Sequence, residues 1–156
     1  MRRKDRQVSD KNILYKVINQ AVVCRMGLVK DNHPYVIPLN FGFDEKHIYF
    51  HSATGGEKVQ ILKENNHVCL EFEQDISIIE GEKPCNWGMR YFTVVVHGTA
   101  ELVADPVQKS YGLAQVLAHY KAGMDQCSFT EKELGSVLVY KVTPSEIIGK
   151  ACGIPL

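Results

Sequence analysis

The chain has 156 residues, of which 45% are hydrophobic and 23% charged, with 18 Lys plus Arg against 18 Asp plus Glu. That length and composition fit one globular domain spanning 1–156 and exclude disorder, collagen and coiled coil. The zero net charge argues against a dedicated duplex-DNA binder, which carries a basic excess to neutralise phosphates, so no nucleic-acid partner is expected.

The chain opens on a basic Met1-Arg2-Arg3-Lys4-Asp5-Arg6, with no apolar core of a secretory signal behind it. Ile13, Leu14, Val17 and Ile18 then recur at helical spacing over 10–19, with Ser9 or Asp10 as the cap. A strand is expected over 21–29 and a turn at Asp31-Asn32. Tyr35 to Phe43 alternates, Tyr35, Ile37, Leu39, Phe41 and Phe43 on one face, Val36, Pro38, Asn40 and Gly42 on the other. Pro38 marks it as an edge or a bulge, because proline donates no ladder hydrogen bond. Asp44-Glu45-Lys46 is a hairpin turn before a strand over 47–52, and Glu57 to Glu64 reads as a short helix. Strands are expected over 67–73 and 76–79, a loop over 81–88, and a long strand over 89–103 bent at Gly98. A helix opens on Pro106 and runs to Tyr120. A last strand covers 136–142, and 149–156 forms a tail.

Hairpin-length connections between strands predict an antiparallel sheet, and many short strands with few helices close most economically into a small barrel. No stretch approaches the roughly 20 apolar residues of a membrane helix. Cys24, Cys69, Cys85, Cys127 and Cys152 are scattered, with no Cys-x-x-Cys pair, so reduced thiols in a cytoplasmic protein are expected. The spacings of His and Cys support no metal site, and Gly-x-Ser-x-Gly is absent.

Two clusters carry chemistry. In His51-Ser52-Ala53-Thr54-Gly55-Gly56-Glu57-Lys58 a strand ends, small residues follow and a helix starts. Unpaired N–H groups and the positive dipole end attract an anion there, and Lys58 adds a full charge. Glu57 interrupts Gly-Lys and no Ser or Thr follows Lys58, so this is no magnesium-holding Walker loop. The same residues also read as an ordinary helix start. Asn86-Trp87-Gly88-Met89-Arg90-Tyr91 suits an aromatic ring bearing a negative group, and equally a loop tryptophan that seals a barrel end.

The opening 1–6, the strand Tyr35-Val36-Ile37-Pro38-Leu39-Asn40-Phe41, Ile48-Tyr49-Phe50-His51-Ser52-Ala53 followed by Gly56-Glu57-Lys58, and Arg90 to Ala100 resemble the 5-nitroimidazole-resistance (Nim) family. That family lies within the pyridoxamine 5'-phosphate oxidase-like split barrels. The resemblance implies a mainly β, six-stranded antiparallel split β-barrel with a few peripheral helices, a homodimer, and FMN at the subunit interface. It implies that Lys58 and the helix start hold the FMN phosphate, with His51, Ser52 and Ala53 beside the ribityl-phosphate or ring. Val36, Pro38, Leu39 and Asn40 would line the isoalloxazine. Trp87, Arg90 and Tyr91 would cover its other side, from the second subunit.

Related sequences often carry His where Glu57 stands, and an acid sits poorly beside a phosphate. The implied activity is a flavin-dependent reduction of a nitroimidazole or another small aromatic acceptor, with His51 as proton donor. The alternative is a flavin- or haem-binding carrier or sensor of the same fold. A six-stranded barrel is filled by side chains, so the cofactor would sit outside it, covered by a second subunit.

Overall fold

The computed structural model describes residues 3–121, 123 and 127–154. Met1 and Arg2 of the basic start, and Pro155 and Leu156 of the expected tail, lie outside these residues. The elements run β1 (Gln7–Val8), α1 (Lys11–Gln20), β2 (Cys24–Lys30), β3 (His33–Leu39), β4 (Gly42–Phe43), β5 (Ile48–Ser52) and α2 (Glu57–Glu64). They continue with β6 (His67–Ile79), β7 (Gly88–Leu102), α3 (Pro106–Tyr120), α4 (Glu131–Ser136) and β8 (Leu138–Cys152).

All pairings are antiparallel, in the order β3-β2-β6-β7-β8-β5-β4, with β1 added to β8. The segment 33–43 pairs with β2 through β3 and with β5 through β4, and only Asn40 and Phe41 separate the two halves. It therefore leaves one wall and joins the other, so six walls close a split barrel as expected; β1 and β4, of two residues each, raise the strand count to eight. Inward-facing Met26, Leu28, Leu70, Phe72, Val94, Val96, Ile48 and Phe50 are all at most 2% exposed, so side chains fill the interior. The helix α1, capped by Asp10 Oδ1 accepting from Asn12 and Ile13 N–H, adds Leu14, Val17 and Ile18 to this core.

The break at Asn40-Phe41 has a specific cause. The Phe41 N–H donates to the Tyr120 hydroxyl at 3.2 Å, and that hydroxyl donates to the Val22 carbonyl at 2.9 Å. Next to it, His119 Nε2 donates to the Ala21 carbonyl at 2.7 Å, and its ring lies 4.1 Å from the Phe41 ring centroid. The end of α3 is thus seated where the strand would have run on. Asp44 ties the first half of α3 down: its carboxylate accepts from Lys46 and His47 N–H and from the hydroxyls of Tyr49 and Tyr111. Burial alone would raise the Asp44 carboxyl, but these donors hold it below its ordinary value. Between the two anchors, a Cβ at Gly42 would collide with the Gln115 carbonyl, so only glycine lets α3 lie this close.

Four expectations need correction. The strand expected over 35–43 starts at His33 and is broken at Asn40. The strands expected over 67–73 and 76–79 are one, because Asp75, at φ 54°, forms a bulge and pairing resumes at Ser77. The tail from Gly149 is strand up to Cys152, paired with β7. The six-residue α4 was not anticipated; a capping box between Thr130 and Glu133 starts it. The bend expected at Gly98 coincides with a register shift between β7 and β8.

Tyr120→Phe removes one hydrogen bond at each end of the bridge. A loss of about 1 kcal/mol is expected in urea unfolding, together with faster hydrogen exchange at the Phe41 amide.

Candidate functional site

The barrel splits beside β3. This strand pairs with β2 on one side and lies at the end of the sheet, so its other edge faces no strand. Along it, Val36, Pro38 and Asn40 point outward and are exposed, with Val36 at 65%, while Leu39 is buried. Pro38 therefore sits on an edge strand, where its missing N–H costs no interior ladder bond. The β4–β5 register, Gly42 to Tyr49 and Phe43 to Ile48, would place Asn40 opposite His51 if it continued, but pairing stops at Gly42. The open edge of β3 thus faces the end of β5, where the second group of expected residues begins.

On β5, Phe50 and Ser52 are buried while His51 is exposed on the opposite face. Ser52 is the one polar side chain among the described residues in the buried class. Ala53, Thr54 and Gly55 lead to Gly56, whose φ of 114° lies in the region that disfavours side-chain-bearing residues. No side chain caps α2, so the N–H groups of Glu57, Lys58 and Val59 have no partner within the helix. A Cβ at Gly55 or Gly56 would meet nothing within 4 Å, so the approach to these amides is open. Lys58 is half-buried, with Nζ 5.6 Å from the Phe50 ring centroid. Burial lowers the Lys58 ammonium from its ordinary value. Burial, and then the nearby Lys58 charge, lower the His51 imidazole. Glu57 is exposed. Open amides, a partly desolvated ammonium and a neutral imidazole make this corner fit for a phosphate or another anion.

The structure brings together the residues of β3, β5 and the start of α2. It does not bring Trp87, Arg90 and Tyr91 to them within one chain. Ser52 pairs with Leu138 and Tyr91 with Cys152, the two ends of the fifteen-residue β8. Trp87 Nε1 donates to the Gly81 carbonyl at 2.8 Å and leaves its ring 52% exposed. Tyr91 lies instead in a basic group: Arg6 donates to its hydroxyl at 3.5 Å, and Lys150 Nζ stands 5.3 Å from its ring centroid. Lys150 and Arg6 lower the Tyr91 hydroxyl from its ordinary value.

Sequence reasoning missed Tyr120 as a polar bridge, because its partners Phe41 and Val22 lie 79 and 98 residues away in the chain. It also missed the pairing of Arg6 with Tyr91, residues 85 apart in the chain. Among the described residues, no helix is long and apolar enough to cross a membrane.

A six-walled barrel with an open strand edge leading to a glycine-led helix start is the architecture of the split β-barrels. The chain belongs to the pyridoxamine 5'-phosphate oxidase family, whose model matches residues 10–151. Among solved structures it is similar to a candidate 5-nitroimidazole antibiotic resistance protein from Bacteroides thetaiotaomicron VPI-5482. That likeness has 30% identity, covers 92% of this chain and 85% of that one, and has a TM-score of 0.82. The FAD and heme binding protein from Mycobacterium smegmatis shares the fold at 20% identity, with 96% and 74% of the two chains covered and a TM-score of 0.86. The flavocytochrome Anf3 from Azotobacter vinelandii does so at 18% identity, with 99% and 73% covered and a TM-score of 0.86. Among curated proteins, none matches the chain.

The position of His51 is directly measurable. Its imidazole is expected to titrate below 6.5 by NMR, and Lys58→Met to move it upward, because removing a positive charge eases protonation. Because folding lowers this group, its contribution to stability is present above the unfolded value and is lost as pH falls from there through the lower folded value.

Proposed function

We propose that the protein is an FMN-dependent, Nim-like oxidoreductase that passes electrons to a small aromatic acceptor, a nitroimidazole or a compound of similar size. The observation that carries this reading is the open edge of β3 leading to the uncapped, glycine-led start of α2 with Lys58 beside it. The backbone of Val36, Leu39 and Asn40, together with Pro38, would receive the flat polar ring system. Lys58 and the first amides of α2 would hold its phosphate, with Ser52 and Ala53 beneath. Bound flavin would supply reversible one- and two-electron chemistry. The chain would supply orientation, a positive corner for the phosphate, and at His51 a neutral imidazole able to relay a proton near neutral pH. The 30% identity to the candidate resistance protein supports the Nim-like part of the reading.

We further propose that a second copy of the chain completes the site. The hairpin of β6 and β7 carries Ile76, Ile78, Trp87 and Met89 at 45–62% exposure, a concentration of large apolar groups that a lone barrel leaves uncovered. At its base lies an open groove of about 760 Å³ with Met89, Val95 and Ile148 in its lining. A partner would cover this arm and present Trp87, Arg90 and Tyr91 to the flavin held by the first copy. Cys24, Cys69, Cys85 and Cys152 carry free thiols, in keeping with a reducing, cytoplasmic setting.

FMN titration tests the reading. Bound FMN is expected to give a flavin absorption spectrum on a dimer by light scattering. Lys58→Met is expected to weaken FMN by roughly 10- to 100-fold, the worth of a charge-assisted hydrogen bond. A protein that takes up no FMN contradicts the cofactor assignment, and a Soret band would favour a haem-handling role instead. If bound reduced flavin is reoxidised by nitroimidazoles no faster than free FMN, the enzymatic part of the reading fails.

A further inference from the structure

A cavity of about 280 Å³ lies on the outer face of β5, between that strand, α3 and α4. Five of its lining residues are apolar: Leu113, Val116, Leu117, Phe129 and Val137. The close seating of α3 shapes one wall, since a Cβ on Gly112 would come within 2.9 Å of both the Tyr49 ring and Val139. Three polar residues complete the lining, and two are already engaged. The Glu133 carboxylate accepts from Thr130 N–H at 2.8 Å and from the Thr130 hydroxyl at 2.7 Å, and the Ser136 hydroxyl donates to the Glu133 carbonyl at 2.7 Å. The third is His51, whose ring makes no hydrogen bond among the described residues.

We infer that this cavity binds a small, uncharged ring compound through its apolar walls and one hydrogen bond to His51. Size limits the occupant: drug-sized ligands occupy roughly 300–1,000 Å³, so a cavity of this volume suits a single ring. Charge limits it further. A carboxylate would face the Glu133 carboxylate, which its Thr130 donors keep ionised. A cation would approach the corner that Lys58 already makes positive. A neutral ligand meets neither penalty, and a neutral imidazole offers it one donor and one acceptor nitrogen. The site is separate from the phosphate corner at α2 and meets it only at His51. Under the flavin reading it would serve as the acceptor's waiting place, but the binding claim itself needs no flavin.

Three one-ring probes test it on the purified protein by NMR at pH 7.5: benzamide, benzoate and benzylammonium. Benzamide is expected to bind saturably and to shift the Leu113, Val116 and Val137 methyls, the Phe129 ring and His51 Cε1–H together. Benzoate and benzylammonium are expected to bind at least 10-fold more weakly. Leu117→Trp, which fills the cavity, is expected to weaken benzamide by at least 10-fold. Ser136→Phe at the rim is a second blocking variant should the first fail to fold. Absence of benzamide binding, equal binding of all three probes, or benzamide shifts that survive both blocking variants would overturn the inference. An FMN titration of the same samples separates the two readings: benzamide bound without FMN uptake contradicts the cofactor assignment alone, and FMN uptake without benzamide contradicts the cavity alone.

Discussion

One tyrosine hydroxyl fixes the point where the chain leaves one wall of the barrel for the other. The Tyr120 hydroxyl accepts from the Phe41 N–H and donates to the Val22 carbonyl, the two residues that the β2–β3 register would set opposite each other, so the ladder to β2 ends at Leu39 and the chain turns to β5 at Gly42. Buried or partly buried backbone groups must find partners, and an amide satisfied by α3 is not available to a strand. The change of wall between Phe41 and Gly42 leaves the outer edge of β3 without a strand beside it. Asp44 supplies the second anchor through Tyr49 and Tyr111, and α3 lies between the two as a strut across the outer face of β4 and β5. The same strut walls the cavity beside His51. The smaller cavity is thus a consequence of where this helix is placed.

The zero net charge first served to exclude partners, but it conceals a local arrangement. The interior is nearly without polar side chains, and the charges are distributed over the surface. Arg25 is neutralised by Glu71 and Glu73, at 3.2 and 2.6 Å, on the outer sheet. Lys58 has no carboxylate within salt-bridge distance among the described residues, and burial lowers its pKa. An exposed ion pair contributes little to stability, whereas a half-buried ammonium beside open amides is left free to meet an anion, as the proposed function requires. The second positive group, Arg6 and Lys150 around Tyr91, lies at the far end of β8 and belongs with the apolar hairpin arm.

What the sequence shows and what it hides divide by distance along the chain. The left-handed turn at Asp31 and Asn32, the bounds of α2 and α3, the edge position of Pro38 and the corner formed by His51 and Lys58 are all encoded within a few residues, and all were legible. The break at Asn40 was not, because its cause is a hydroxyl 79 residues away. Nor was the continuation of β8 to Cys152, which depends on an equally long β7 beside it. At Asp75 a bulge carried the strand through a residue that read as its end. Trp87, Arg90 and Tyr91 were recognisable as a chemical group, but their distance from Lys58 depends on sheet order, which local pattern does not encode.

Under the proposed function, the open edge of β3 and the start of α2 form one cofactor surface. Amide hydrogen exchange measured with and without FMN tests it most directly. New protection is expected at Val36 and Asn40 and at Glu57, Lys58 and Val59, with the interior strands unchanged. Protection confined to the β6–β7 hairpin, or none at these five amides while FMN is bound, would contradict it.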